Sequence, residues 1–176
     1  MSNQAATITL SLDELRLVGL WAADCAEGAL PLFEAKAPLD ARPREAIEGI
    51  RVFARGGQRM ALLRSQALAA HASAREVGDL AASAAARSAG HAAATAYTHP
   101  LATLDQAKHV LCPAVYAARA REIASNDPDI GEAEIRRAIE HASLIVREVM
   151  RRFPSRALGR TRLDALFYHL DAGLRG

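Results

Sequence analysis

Six histidines (71, 91, 99, 109, 141 and 169) in a chain of 176 residues with only 5% aromatic content are the side chains best suited to acid–base or metal chemistry near neutral pH. Two of them recur with arginine at a spacing of four, His71 with Arg75 and Arg87 with His91, so each pair occupies one face of a helix. If the two segments form an antiparallel hairpin about Gly78, His71 lies seven residues from the turn and His91 thirteen. At the rise of an α-helix that separates them by about 9 Å in height, too far to share one ion. The same arithmetic puts His71 level with Arg87, within reach of a common carboxylate such as Asp24. A polar cluster of Asp24, His71, Arg75, Arg87 and His91 is the result. Three uses stay open: mutual satisfaction of the groups, contact with a partner or ligand, or a metal or catalytic site centred on Asp24, His71 and His91. No HExxH, GxSxG, phosphate-cradling loop or paired-cysteine motif accompanies the cluster.

A second basic feature is the segment from Arg147 to Arg162, with arginines at 147, 151, 152, 156, 160 and 162 against the single acid Glu148. Such a stripe suits nucleic acid. Here aromatic interleaving stops at Phe153 and the net charge is only +2, so a solvated helix face is the simpler reading and nucleic acid is not the expected partner. The acidic loop around Asp127 and Asp129 is an alternative partner for these arginines. Cys25 and Cys112 have no metal spacing and read as reduced thiols. No run approaches the roughly 20 apolar residues of a membrane span, and the N-terminus has no export pattern. The chain therefore reads as soluble and cytoplasmic, without a membrane segment and with no cofactor.

The elements that must position these groups follow from composition. Hydrophobic residues make up 51% of the chain, and 40 residues are alanine. Alanine is the strongest helix former and a poor strand former, which predicts an all-α fold: a compact bundle of six to eight helices around an alanine-rich central hairpin. We expect one helical domain over 1–176, with 1–10 a short frayed leader and 121–176 forming C-terminal helices. Ser11 and Glu14 have capping-box spacing, and Leu12, Leu15, Val18, Ala22, Cys25, Ala29 and Leu32 make one apolar face beside Trp21. Trp21 reads as a core anchor. A second helix starts at Asp40-Ala41-Arg42-Pro43 and stops at Gly56-Gly57. The third spans 58–76; Asp79 caps the fourth, 80–98, which is alanine on every face and so central. A fifth region, 101–124, contains Pro113, which predicts a kink or split. From Ile135 through Phe153 the apolar period predicts one amphipathic helix, with Arg136/Glu140 and Glu148/Arg152 as outer pairs, and a last helix covers 161–170.

Three stretches together carry a resemblance. Trp21-Ala22-Ala23-Asp24-Cys25-Ala26-Glu27 continues to Leu30-Pro31-Leu32-Phe33-Glu34. Asp40-Ala41-Arg42-Pro43-Arg44-Glu45-Ala46-Ile47-Glu48 follows, and then Ala69 to Arg75 with Ala84 to Ala96. In order and separation they resemble a bacterial family described as putative immunity proteins, associated with polymorphic toxin systems. The resemblance covers residues 11–120, and its first two stretches are the specific ones. It departs from the family pattern at Gly28-Ala29, where an arginine and a larger aliphatic residue are usual, at Phe53 for tryptophan, and at His91 and Tyr97 for glutamine and histidine. The resemblance implies an all-α, non-catalytic protein that binds a toxin domain and neutralises it. The residues that look like the family's shared positions are Trp21, Asp24, Glu27, Asp40, Arg42, Pro43, Arg44, His71, Arg75 and Arg87, with Asp40 and Arg42 as a pair fastening one helix to another. Together with the cluster above, Asp24, Arg42, His71, Arg75, Arg87 and His91 are the candidate polar cluster or partner-binding set. An inhibitor that mimics phosphate is strongly acidic, so the charge of +2 favours a toxin that is not a nuclease, or inhibition away from its active site.

Overall fold

The computed structural model describes residues 6–176, and over that range the protein is all-helical. Eight α-helices follow in order: α1 Leu12–Glu34, α2 Arg42–Ala54, α3 Ala61–Glu76, α4 Leu80–Ala94, α5 Leu104–Ser125, α6 Pro128–His141, α7 Leu144–Arg152 and α8 Arg162–Arg175, with a single 3-10 turn at Thr95–Tyr97 after α4. The local start and stop signals act as read. Ser11 and Glu14 form a complete capping box on α1. Asp79 accepts the Ala82 N–H at 2.9 Å to cap α4, and Gly78, at φ 70°, supplies the left-handed turn that closes the α3–α4 hairpin.

α4 is the central helix. Its buried face is built from alanines, Ser88 and Gly90, and it packs against α1, α2, α3 and α5. Without large side chains of its own it excludes water only by close approach, and the neighbours fill the remaining space with Leu30, Ile47, Ile50, Phe53 and Leu63. A second core joins Val18 and Trp21 of α1 to α5, α6, α7 and α8. Trp21 is 4% exposed, and its indole Nε1 donates to the Ala138 carbonyl at 2.9 Å, linking α1 to α6.

Three expectations change. Pro113 does not split α5, which runs unbroken past it. Buried residues hold the helix on either side of the proline, and the Ser88 hydroxyl donates to the Pro113 carbonyl at 2.7 Å, fixing that turn against α4. The predicted long helix through Phe153 is two helices. Ala142 is extended, the Ser143 side chain caps α7 by accepting from Val146 N–H, and Arg147 donates to the Ile139 carbonyl at the end of α6 at 2.5 Å. The apolar period runs through the break because both helices face the same core. Arg152 accordingly pairs not with Glu148 but with Glu14 of α1, at 2.7 Å. Finally, of the predicted leader 1–10, residues 1–5 lie outside the described range, while 6–10 are held in place. Ala102 N–H donates to Ala6 O at 2.7 Å, Ile8 N–H to Pro100 O at 3.0 Å, and Arg152 to Thr9 O at 2.9 Å.

The C-terminal helices are tied by a buried carboxylate. Glu122, 5% exposed, accepts from Arg119 and from Arg162, whose Nη2 lies 2.7 Å away; Arg162 also pairs with Glu132 at 2.6 Å. This arrangement joins α5, α6 and α8. Removing Glu122 deprives Arg119 of its carboxylate, leaves Arg162 with Glu132 alone and opens a cavity, so Glu122→Ala is expected to cost about 3 kcal/mol in urea-unfolding stability. Glu132→Ala, which removes a more exposed member of the same network, should cost about 1 kcal/mol or less.

Candidate functional site

Of the six residues singled out in the sequence, four come together and two stand elsewhere. His71 of α3 meets His91 of α4 edge to face, with ring centroids 4.6 Å apart, and His91 stacks on Tyr116 of α5 at 5.1 Å. The three rings form a ladder across three helices. The height argument held the two histidines too far apart, and Gly90 is the reason it fails. A Cβ on Gly90 would lie 2.9 Å from three atoms of the His71 imidazole. The ring therefore fills a notch that exists because residue 90 has no side chain, and from there it reaches along α4 to His91. Tyr116 was missed; its one signal was a lone aromatic in an alanine-rich stretch of α5.

Arg75 and Arg87 flank this ladder. Burial lowers the pKa of His71, and the Arg87 and Arg75 guanidiniums lower it further. Burial is also the main cause that takes His91 down to about 3, with charge from His71, His109, Lys108 and Arg87 added. The imidazoles are therefore neutral near pH 7, and the positive charge of the site is carried by arginine. The acids nearest in sequence are committed elsewhere: Glu76 binds Arg42 at 2.6 Å, and Asp79 caps α4 and faces Lys36 at 3.5 Å. Among the described residues, Arg75 and Arg87 form no ion pair.

Asp24 and Arg42 serve other junctions. Asp24 is exposed on α1 and pairs with Arg51 of α2 at 3.0 Å, while Arg51 also holds Glu27 at 2.7 Å. Arg42 grips Asp40 through two bonds, at 2.9 and 2.7 Å, and crosses to Glu76 of α3. These pairs join α1 to α2 and α2 to α3. The shared-carboxylate cluster drawn from helix heights is thus corrected: Asp24 does not join His71 and His91, and Arg51 claims it instead. Among the described residues no group of three or more His, Cys, Asp or Glu is arranged to hold a metal ion. Of the set Asp24, His71 and His91 that a metal-binding or enzymatic reading needs, the two histidines meet and Asp24 stands elsewhere.

The arginines from 147 to 162 disperse as well. Arg147 donates to carbonyls of α6 and to Gly173, Arg151 to Arg175 O, Arg152 to Glu14, and Arg162 to Glu122 and Glu132. Arg156 lies over the Phe167 ring at 4.9 Å. Glu14, Glu122 and Glu132, rather than Asp127 and Asp129, are the carboxylates that these arginine side chains meet. Burial pushes both cysteine thiols up to about 12, so neither is a thiolate near neutral pH. Among the described residues no helix is long and apolar enough to cross a membrane.

A family model described as Imm-5 like putative immunity protein matches residues 9–145, beyond the 11–120 covered by the resemblance read from the sequence. No curated protein and no solved structure matches the chain.

The buried ladder sets a pH dependence. His91 titrates at about 3 in the fold against an ordinary 6.5, so between these values the unfolded chain binds a proton that the native state does not. Its contribution is complete above 6.5 and is lost as pH falls. The slope reaches about 1.4 kcal/mol per pH unit for one such group. Urea melts between pH 6.5 and about 5, where most carboxylates are still ionised, should show His91→Phe with a shallower loss of stability than the unaltered chain.

Proposed function

The chain belongs to the Imm-5 like putative immunity protein family, and from that membership we propose that it binds a bacterial toxin domain and blocks it without chemistry of its own. The family match over residues 9–145 is the observation that carries this reading. An inhibitor needs a rigid scaffold, a complementary surface and charges that steer its target. The eight-helix bundle is such a scaffold. We read it as one domain acting in the cytoplasm.

Within this reading the toxin contacts the edge formed by α3, α4 and the middle of α5. Arg75 and Arg87 lack carboxylate partners there, and His71, His91 and Tyr116 give them a fixed background. Asp24 and Arg42, engaged in holding helices together, are not part of the contact. An exposed Arg75 and a half-buried Arg87, neither with an internal counter-ion, suit an acidic surface on the partner. It does not suit imitation of a nucleic-acid backbone, which calls for carboxylates. The favoured target is therefore a toxin other than a nuclease, or one held away from its phosphate-binding cleft.

Co-expression with a toxin domain from the same locus should yield a complex that survives gel filtration. Arg75→Glu with Arg87→Glu should weaken it at least tenfold, a change of about 1.4 kcal/mol or more. Arg136→Glu with Arg160→Glu, both exposed elsewhere on the molecule, should leave it unchanged. Failure of every toxin domain from the locus to bind would overturn the function. A complex seated in a nuclease's phosphate cleft would overturn the charge argument.

A further inference from the structure

α1 and α6 both lie across α5, and two bridges span the space between them. At one end the Trp21 indole donates to Ala138 O at 2.9 Å. At the other, Arg121 donates to Gly28 O at 2.9 Å and pairs with Glu134, also at 2.9 Å. Between the bridges the helices do not close. Ala114, Ala117 and Ala138 offer only methyl groups, and a Cβ on Gly28 would meet no atom within 4 Å. The space that remains is a cavity of about 160 Å³, with Trp21 and Cys25 as its floor and Asp24, Glu134, Arg137 and His141 at its mouth. A cavity of about 150 Å³ is large enough for a benzene ring.

The charges at the mouth select the occupant. Arg51 engages Oδ1 of Asp24 and Arg121 engages Oε1 of Glu134, which leaves one oxygen of each carboxylate open on opposite walls. His141 is occupied, its Nδ1 lying 2.8 Å from Arg137 O. Arg137, exposed on α6, is the one arginine in the lining, while Arg51 and Arg121 pair with the carboxylates from outside it. At the floor, burial is the chief cause that raises the Cys25 thiol; Asp24 and Glu134 each raise it further, and by more than Arg137 lowers it. At the floor the two carboxylates thus outweigh Arg137, and the walls around them are apolar.

We propose that this cavity binds an amine carried on an apolar body of about one ring, the body against Trp21 and the alanine methyls and the cation between the free oxygens of Asp24 and Glu134. A free arylalkylamine has this chemistry, and so has the end of a lysine on a partner protein. The proposal stands on the α1–α5–α6 cavity and does not depend on the immunity reading or on the Arg75–Arg87 edge.

Benzylamine titrated into the full chain, followed by calorimetry and by the Trp21 indole NMR signal, should bind saturably at millimolar concentration. Benzoate, with the same ring and the opposite charge, should bind at least tenfold more weakly. Nα-acetyl-lysine methylamide in the same titration tests the side-chain source, and the tighter of the two amines names it. Gly28→Leu should fill the cavity and abolish binding without lowering the melting temperature, since leucine is a better helix former than glycine. Ala117→Leu serves as a second block if that variant fails to fold. Glu134→Gln should weaken benzylamine several-fold and leave benzyl alcohol unchanged. The proposal is overturned if neither amine binds saturably, if benzoate binds equally well, or if binding survives a folded, cavity-filled variant.

Discussion

Alanine contributes one carbon to a core, so a helix whose buried face is alanine excludes water only where its neighbours come close. α4 imposes that constraint on the whole molecule. Its neighbours carry the bulk, and glycine appears where even a methyl group would be too much. A Cβ on Gly19 would lie 2.9 Å from Ile50 Cδ1, so α1 and α2 meet at a spacing that alanine itself would disturb. The notch at Gly90 belongs to the same regime, except that an imidazole rather than an aliphatic group fills it. The open space beside Gly28 is its converse, a place where small residues occur and no neighbour has come in.

With few large side chains inside, many links between helices are made by long polar ones at the periphery. Arg51 and Arg44 span α1 and α2, Arg42 spans α2 and α3, Arg152 reaches α1 from α7, and Arg162 gathers α5 and α6 onto α8. Guanidinium groups suit this work because each makes several directed bonds at once. The distribution is uneven. Arg42, Arg44 and Arg51 on the α1–α2 side all meet carboxylates, whereas among the described residues Arg75 and Arg87 at the α3–α4 edge, like Arg136, Arg137 and Arg160 further along the chain, form no ion pair. What sets the α3–α4 edge apart is that its two arginines flank the ring ladder of His71, His91 and Tyr116.

Much of the architecture was legible because its signals are local. Ser11 with Glu14, Asp79 and Gly78 each act within one turn, and composition excludes a sheet. The misreadings came where tertiary packing outweighs a local rule. Pro113 sits in a helix held from both sides, so the missing N–H does not break it. The α6–α7 break is hidden because the apolar repeat continues in phase across Ser143, and only the serine marks it. In the candidate site, the helix assignments of His71, Arg75, Arg87 and His91 were readable. The ring contact was not, because counting residues from a turn treats side chains as points on parallel cylinders. Asp24 and Arg42 were assigned by type and spacing, and which arginine or carboxylate would reach them first was decided by helices far away in sequence.

Segment 6–10 has a consequence for the order in which the molecule can be assembled. It meets residues 100–102, and Arg152, which arrives 143 positions later, closes over Thr9. Val18 and Trp21 likewise belong to a core otherwise supplied by α5 to α8. During synthesis the first four helices can collect around α4 while one side of α1 waits for sequence not yet made. Contacts of that separation form late, because the intervening loop must be closed before they contribute. α1 thus emerges well before the helices that cover it and is among the last to be fully enclosed, and the nascent chain carries an exposed tryptophan until those later helices arrive.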